Sequence, residues 1–181
     1  LDKNGDGVIS YVLLEGESNH QDSLIRTEWS VQTLKDRGVP IEKITGGIAN
    51  WERSQASALM EQWLELYPDT IELVLSNNDD MALGVISALN TKGYNNQGSK
   101  TTSGAKYIPV YGVDALSTAL DAIRNGKMEG TVKQDGDAMA TAIVKIAMNL
   151  KGGKAFLDGT DYKFESNVRK LRIPYSPVTQ A

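Results

Sequence analysis

The sequence predicts an α/β fold, a mainly parallel sheet with helices on both faces. Three observations carry this. Short runs of Val, Ile, Leu and Tyr alternate with longer segments whose apolar residues return at helical spacing. Gly, Asn and Asp punctuate the junctions. Hydrogen-bonding side chains stand after successive strand candidates, where open sheets of this kind hold their ligands. Strands alternating with helices of this length form right-handed βαβ units around one sheet.

Taken in order, residues 8–14 are the first strand candidate, apolar with β-branched and aromatic members at Val8, Ile9, Tyr11 and Val12. A polar loop follows, then a helical pattern over residues 20–37. Residues 41–48 form the next strand, closed by Gly46 and Gly47. Residues 51–67 place Ala56, Leu59, Met60, Trp63, Leu64 and Tyr67 at helical spacing. A third strand covers 70–76, and a helix over 78–89 aligns Met81, Ala82, Val85 and Leu89 before Lys92 and Gly93 end it. Residues 98–104 read as a polar surface loop. A fourth strand is expected over 107–113, a helix over 115–125, a short strand over 130–132, a helix over 135–150 and a last strand over 168–174.

Composition excludes several classes of function. A chain of 181 residues with 40% hydrophobic content buries a core. Its net charge of −4, without runs of like charge, provides no basic field for nucleic acid or anionic lipid. The lack of cysteine removes thiol catalysis, thiolate metal sites and disulfides, and leaves the compartment open. No apolar run has the length of a signal or membrane-spanning segment. The chain opens on a polar loop without an initiator Met, which reads as the start of a fragment.

That opening loop is half of a calcium site. Asp2, Asn4 and Asp6 recur at every second position before Gly7, and the Val8 carbonyl and Ser10 fall where an EF-hand loop supplies its seventh and ninth donors. The twelfth position, which should carry a bidentate Glu, is Leu13, so any missing carboxylate must come from elsewhere in the fold. The plainer alternative is a polar turn that opens a strand.

After successive strands stand His20, Asp22 and Arg26, then Trp51, then Asn77, Asn78 and Asp79, then Asp114, then Gln134 and Asp135. Carboxylates accept from vicinal hydroxyls, amides donate and accept, and a guanidinium donates a fork of N–H groups. An indole face covers the C–H side of a sugar ring. The set points to a polyol, and most naturally to a monosaccharide. Singly, Asp22 and Asn78 suit helix caps, Trp51 suits the core as Trp63 does, and His20 and Arg26 suit solvated positions. Their shared placement after strands favours a site. No nucleophile sits in a recognisable turn. Asp22 and Asp114 could form a glycosidase pair, but neither has the apolar surroundings expected of a general acid.

Several stretches together resemble the galactose/glucose-binding proteins of bacterial sugar uptake. They are the turn Asp2-x-Asn4-x-Asp6-Gly7, the pair His20-x-Asp22 with Arg26, and Ala49-Asn50-Trp51. The string Ser76-Asn77-Asn78-Asp79-Asp80-Met81-Ala82 and the block Ile108-Pro109-Val110-Tyr111-Gly112-Val113-Asp114 match as well. The resemblance covers essentially the whole chain. It implies one lobe of a periplasmic-binding-protein-like type I fold, with residues 1–133 and 168–181 as a C-terminal sugar-binding lobe. Residues 134–167 would then be a crossover normally packed on an N-terminal lobe, which leaves the apolar stripe Ala138, Ala142, Ile143, Ile146, Ala147 and Leu150 to be displaced, disordered or covered by a second copy.

The resemblance also implies calcium as a structural ion, with Glu72 as the missing ligand beside Asp2, Asn4, Asp6, Val8 and Ser10. It carries sugar contacts onto His20, Asp22, Arg26, Trp51, Asn78, Asp114 and Gln134. Two positions depart from the family pattern: Gln134 replaces an Asn, and Ser10 replaces a longer Gln, which predicts weaker calcium binding. The implied function is galactose or glucose binding without catalysis, for an ABC permease and in some systems a chemoreceptor, in the periplasm or on a lipid-anchored outer face. The resemblance further implies hinge closure around ligand, as in other periplasmic binding proteins. The alternatives are the effector domain of a sugar-responsive repressor, which the calcium loop argues against, and a sugar-acting enzyme.

Overall fold

The computed structural model describes residues 1–96, 100, 106–165 and 168–180. The elements run β1 (Ile9–Glu15), α1 (Gln21–Asp36), β2 (Ile41–Ile48), α2 (Arg53–Leu66), β3 (Leu73–Ser76), α3 (Asp79–Thr91), β4 (Val110–Asp114), α4 (Ser117–Arg124), β5 (Gly130–Lys133), α5 (Gly136–Lys151) and β6 (Ser176–Thr179). One sheet has the order β2-β1-β3-β4-β5-β6. β1 pairs in parallel with β2 and β3, and β3 with β4. The chain divides into two compact units, Leu1–Val132 with Pro177–Ala181, and Lys133–Ser176.

In the first unit, side-chain alternation on the central strands sorts the core into two layers. Val12 and Leu14 of β1, Val74 of β3 and Val110 of β4 face one way, against Ala56, Met60 and Trp63 of α2, Met81, Val85 and Leu89 of α3, and Ala119 and Ile123 of α4. Tyr11 and Leu13 of β1 and Leu73 and Leu75 of β3 face the other, against Val31 and Leu34 of α1. Strands covered on both faces read as continuous apolar runs, which is how β1 and β3 appear in the sequence. Each fully buried Leu, Val or Met contributes about 1.5–3 kcal/mol.

Several boundaries differ from expectation for identifiable reasons. α2 starts at Arg53, because Asn50 and Trp51 adopt left-handed backbone at φ 49° and 67° and cannot belong to a helix. β4 starts at Val110, directly after Pro109, which has no N–H to donate to a ladder. The expected last strand over 168–174 is not one. The Glu165 amide donates to the Lys170 carbonyl and Arg172 pairs with Glu165, so these residues bond to Glu165 and not to a neighbouring strand, while Lys170 and Arg172 stay in solvent. The last strand is β6, at the sheet edge, where Pro177 is tolerated. The expected loop over 98–104 lies, apart from Lys100, outside the described residues.

The second unit is built on α5, whose N-cap Asp135 accepts from the Ala138 amide at 3.1 Å. Ala142 is buried, while Ile143, Val144, Met148 and Leu150 are exposed. At the other end of α5, the Asn149 amide donates to the carbonyls of Phe156 and Asp158, and the Phe156 and Phe164 rings meet edge-on.

Gly84 lets α3 lie directly on the start of α2: a Cβ there would come within 2.1 Å of the Arg53 carbonyl oxygen. Gly84→Ala is therefore expected to destabilise the chain by about 1–3 kcal/mol through overpacking. This reads out as a lower urea midpoint with an unchanged m-value.

Candidate functional site

The order β2-β1-β3 reverses the winding direction between β1 and β3, and a crevice opens outside the carboxyl ends of strands at such a point. The loops after β2, β1, β3 and β4 meet there. His20 is the N-cap of α1, its Nδ1 accepting from the Asp22 amide at 3.2 Å. Asp22 is thus in the first turn and not the cap, and Arg26 lies one turn further on.

Arg26 is the hub of this edge. Its Nη2 lies 3.6 Å from Asp22 Oδ2, and its Nη1 lies 3.5 Å from Asp114 Oδ1 and donates to the Asn77 carbonyl at 2.9 Å. The guanidinium carbon sits 5.8 Å from the centre of the Trp51 ring, and the His20 ring meets the same indole edge-on at 5.2 Å. Trp51 is half-buried, on the rim of the core. It lies across Gly16, where a Cβ would fall 2.2 Å from the indole, so β1 must be followed by glycine for the ring to rest there. The Asn78 side chain does two things: Oδ1 caps α3 by accepting from the Met81 amide at 3.0 Å, and Nδ2 donates to the Trp51 carbonyl at 3.4 Å.

Burial pushes the Asp114 carboxyl up from its ordinary value, against the pull of Arg26, and the Asp22 charge adds to the rise. Contrary to expectation, Asp114 therefore does have surroundings that raise its carboxyl. What separates the pair from an acid and a base is Arg26, which stands beside both carboxylates. Gln134 follows β5 at the start of the second unit, and the geometry above is that of the first unit alone.

Two residues that the sequence reading placed after β3 but did not assign to the site support it from below. Asn77 is buried, and its Oδ1 accepts from the Gly16 amide and from the hydroxyls of Ser23 and Thr27, at 3.1, 3.1 and 3.2 Å. Asp79 is wholly buried. Its carboxyl is pushed up to about 6 by burial, restrained by bonds from Thr131 and the Leu116 amide, with Asp114 adding to the rise. The signal for both was the Asn77-Asn78-Asp79 string itself, since three polar residues cannot all face solvent at the end of a buried strand.

At the opposite end of β3, Glu72 is buried and turns its carboxylate to the opening loop. Oε1 accepts from the Lys3 and Asn4 amides, and Oε2 from the Ser10 amide at 2.9 Å. Within the loop, Asp2 accepts from the Gly5 and Gly7 amides at 2.7 and 2.9 Å, Asn4 Oδ1 from the Asp6 amide at 2.9 Å, and Asp6 Oδ1 from the Val8 amide at 2.8 Å. Gly5 and Gly7 provide the positive φ of 75° and 87° that the turn needs. Among the described residues, no three His, Asp or Glu side chains already gather as a metal site. The donor chemistry nevertheless suits a hard cation, because Asp2, Asn4 and Asp6 offer side-chain oxygen and the buried Glu72 carboxylate closes the turn from below.

With this geometry in place, comparison with known proteins defines the class. The chain belongs to the periplasmic binding protein family, whose periplasmic binding protein domain matches residues 1–155. It is 36% identical over 98% of its length to the D-galactose/methyl-galactoside binding periplasmic protein MglB of Haemophilus influenzae, and 30% identical over 97% to a putative rhizopine-binding protein of Rhizobium meliloti. The chain spans about half the length of these relatives, 50% of each. Among solved structures, an ABC transporter solute binding protein of Bacillus halodurans with bound myo-inositol aligns over 94% of this chain and 51% of its own, at 31% identity and TM-score 0.72. A periplasmic solute binding protein of Actinobacillus succinogenes with bound D-allose shares the fold at TM-score 0.77 and 19% identity, over 97% of this chain and 54% of its own. The two relatives are named as binding proteins and the two solved structures as solute binding proteins of ABC transporters, which sets the glycosidase reading aside. Among the described residues, no helix is long and apolar enough to cross a membrane.

The Asp79 carboxyl, raised from 3.8 to about 6, gives a pH dependence of stability. The folded chain holds this proton more tightly than the unfolded chain, so the contribution is full below about 4 and is lost as pH rises through about 6. Asp79→Asn removes that contribution. Melting temperatures across this window should fall less steeply with rising pH in the variant, and the slope that remains comes from Asp114, which is shifted in the same direction.

Proposed function

We propose that this chain forms the C-terminal, sugar-facing lobe of a calcium-stabilised monosaccharide-binding component of bacterial ABC sugar uptake, with galactose or glucose as ligand. The observation that carries the reading is Arg26, held beside Asp22 and Asp114 and over Trp51 at the carboxyl edge of the sheet. The arrangement offers a planar donor flanked by two acceptors, next to an aromatic face, which matches ring oxygen, hydroxyls and C–H surface of a pyranose. His20, Asn78 and Gln134 complete the proposed contacts. The galactoside named for the Haemophilus influenzae relative supports a hexose. The myo-inositol bound by the Bacillus halodurans protein supports a cyclitol as the second reading.

Sugar would act by stabilising a closed state, and an ABC permease, in some systems also a chemoreceptor, would read that state. The site of action is extracytoplasmic, in the periplasm or on a lipid-anchored outer face. The exposed α5 residues Ile143, Val144, Met148 and Leu150 support self-association of the isolated chain. Calcium would be held by Asp2, Asn4, Asp6, the Val8 carbonyl, Ser10 and Glu72, where it supplies only charge neutralisation and cross-linking of the opening loop to β3.

A titration of ¹⁵N-labelled chain with D-galactose, D-glucose, D-ribose and myo-inositol tests the ligand. The Trp51 indole and the amides around Asp22 and Asp114 should shift with D-galactose or D-glucose, saturating in the millimolar range on the order of magnitude expected for one wall of a cleft. Arg26→Ala should abolish the response. A response to myo-inositol alone selects the cyclitol reading, and no response to any of the four rejects both.

Calcium is tested by thermal melting. Saturating calcium should raise the melting temperature over that in chelator, by the free energy of ligand linkage, about 2.7 kcal/mol at one hundred times Kd. Glu72→Gln should lose this increment, and equal melting temperatures of the wild type in both buffers would remove calcium from the proposal.

A further inference from the structure

The turn between β4 and α4 holds two residues in backbone conformations that side-chain-bearing residues rarely adopt. Asp114 and Ala115 sit at φ 123° and 60°. Such strain persists only where the surroundings over-determine it. We infer that Asp79 is a positioning residue for the sugar-facing wall: its buried carboxylate locks the Asp114–Ala115 turn and so aims Asp114 at ligand hydroxyls. The aiming half of this inference rests on the monosaccharide reading above, and the locking half does not.

Both amides that follow Asp114 end on this one group. Asp79 Oδ2 accepts from the Leu116 amide at 2.9 Å. Oδ1 accepts from the Thr131 hydroxyl at 2.6 Å, and the Thr131 oxygen in turn accepts from the Ala115 amide at 3.4 Å. One amide is held directly and the other through a hydroxyl that Asp79 orients. β4 makes room for the carboxylate at Gly112, where a Cβ would fall 2.3 Å from Asp79 Oδ1. Capping does not explain the arrangement, since the start of α3 is capped by Asn78 through the Met81 amide. Nor does contact with ligand, since Asp79 has no exposed surface. What remains is the turn, whose first residue carries the carboxylate facing Arg26. An acceptor with two oxygens, both engaged, fixes two consecutive peptide planes, which a single bond would leave free to pivot.

The test uses the whole chain and amide exchange by NMR. In Asp79→Ala the Leu116 amide should exchange about tenfold faster or more, the loss of one hydrogen bond's protection. The Asp114 and Ala115 shifts should move, and the D-galactose dissociation constant should rise about tenfold. Asp79→Asn should restore most of the protection, because its oxygen still accepts from Leu116 and its NH2 can donate to Thr131. Thr131→Val should release Ala115 and leave Leu116 protected, and it decides the matter together with Asp79→Asn if Asp79→Ala does not fold. Unchanged protection of Ala115 in Thr131→Val and of Leu116 in Asp79→Ala would overturn the lock. A released turn with an unchanged dissociation constant would overturn the aiming. If the wild type responds to neither D-galactose nor D-glucose, the monosaccharide reading fails by itself, and the exchange rates still uphold or overturn the lock.

Discussion

The carboxyl edge of this sheet depends on one constraint: polar side chains buried at the end of β3 must have every hydrogen-bonding atom satisfied. An unpaired buried amide or carboxylate would cost about 1–3 kcal/mol or more. Asn77 meets the requirement with the loop after β1 and the first turns of α1, through Gly16, Ser23 and Thr27. Asp79 meets it with the loop after β4 and with β5, through Leu116 and Thr131. Satisfying those two groups determines where α1 and the β4–α4 turn lie, and therefore where Arg26 and Asp114 point.

The other end of the same strand follows the same logic with different chemistry. Glu72, buried at the amino edge, is satisfied by three backbone amides of the opening loop and of β1. β3 thus acts as a spine with an acidic anchor at one end and an amide–carboxylate pair at the other. The two ends are separated by the length of the strand, so an ion bound at the loop would reach the carboxyl edge only through the stiffness of the sheet.

Electrostatics at the carboxyl edge favour binding over catalysis. Asp22 and Asp114 share Arg26, and the Asp22 pair is half in solvent, where an ion pair is worth at most about 1 kcal/mol. Its value is geometric: the guanidinium is held over the indole, within ion-pair distance of both carboxylates. Asp114, raised by burial, would suit an acid if it stood alone. Sharing a cation with its neighbour, it suits an acceptor.

The alternation of apolar runs and helical stripes determined the α/β class and the order of the elements, because burial on two strand faces and one helix face is a local property of the chain. The polar residues after each strand were legible as a group for the same reason, and the opening Asp2–Asp6 turn was legible from its spacing. Local pattern could not place the last strand: residues 168–174 carry apolar side chains at Val168, Leu171 and Ile173, yet their bonds run to the nearby Glu165 and not to a neighbouring strand. Nor could it divide the labour in Asn77-Asn78-Asp79, where one residue faces the indole loop while its two neighbours are buried. Only the tertiary structure decided that, since which polar side chain is enclosed depends on what other strands bring against it. The sequence determined which groups stand at the sheet's edge, and packing determined which of them face the crevice and which are buried holding the others still.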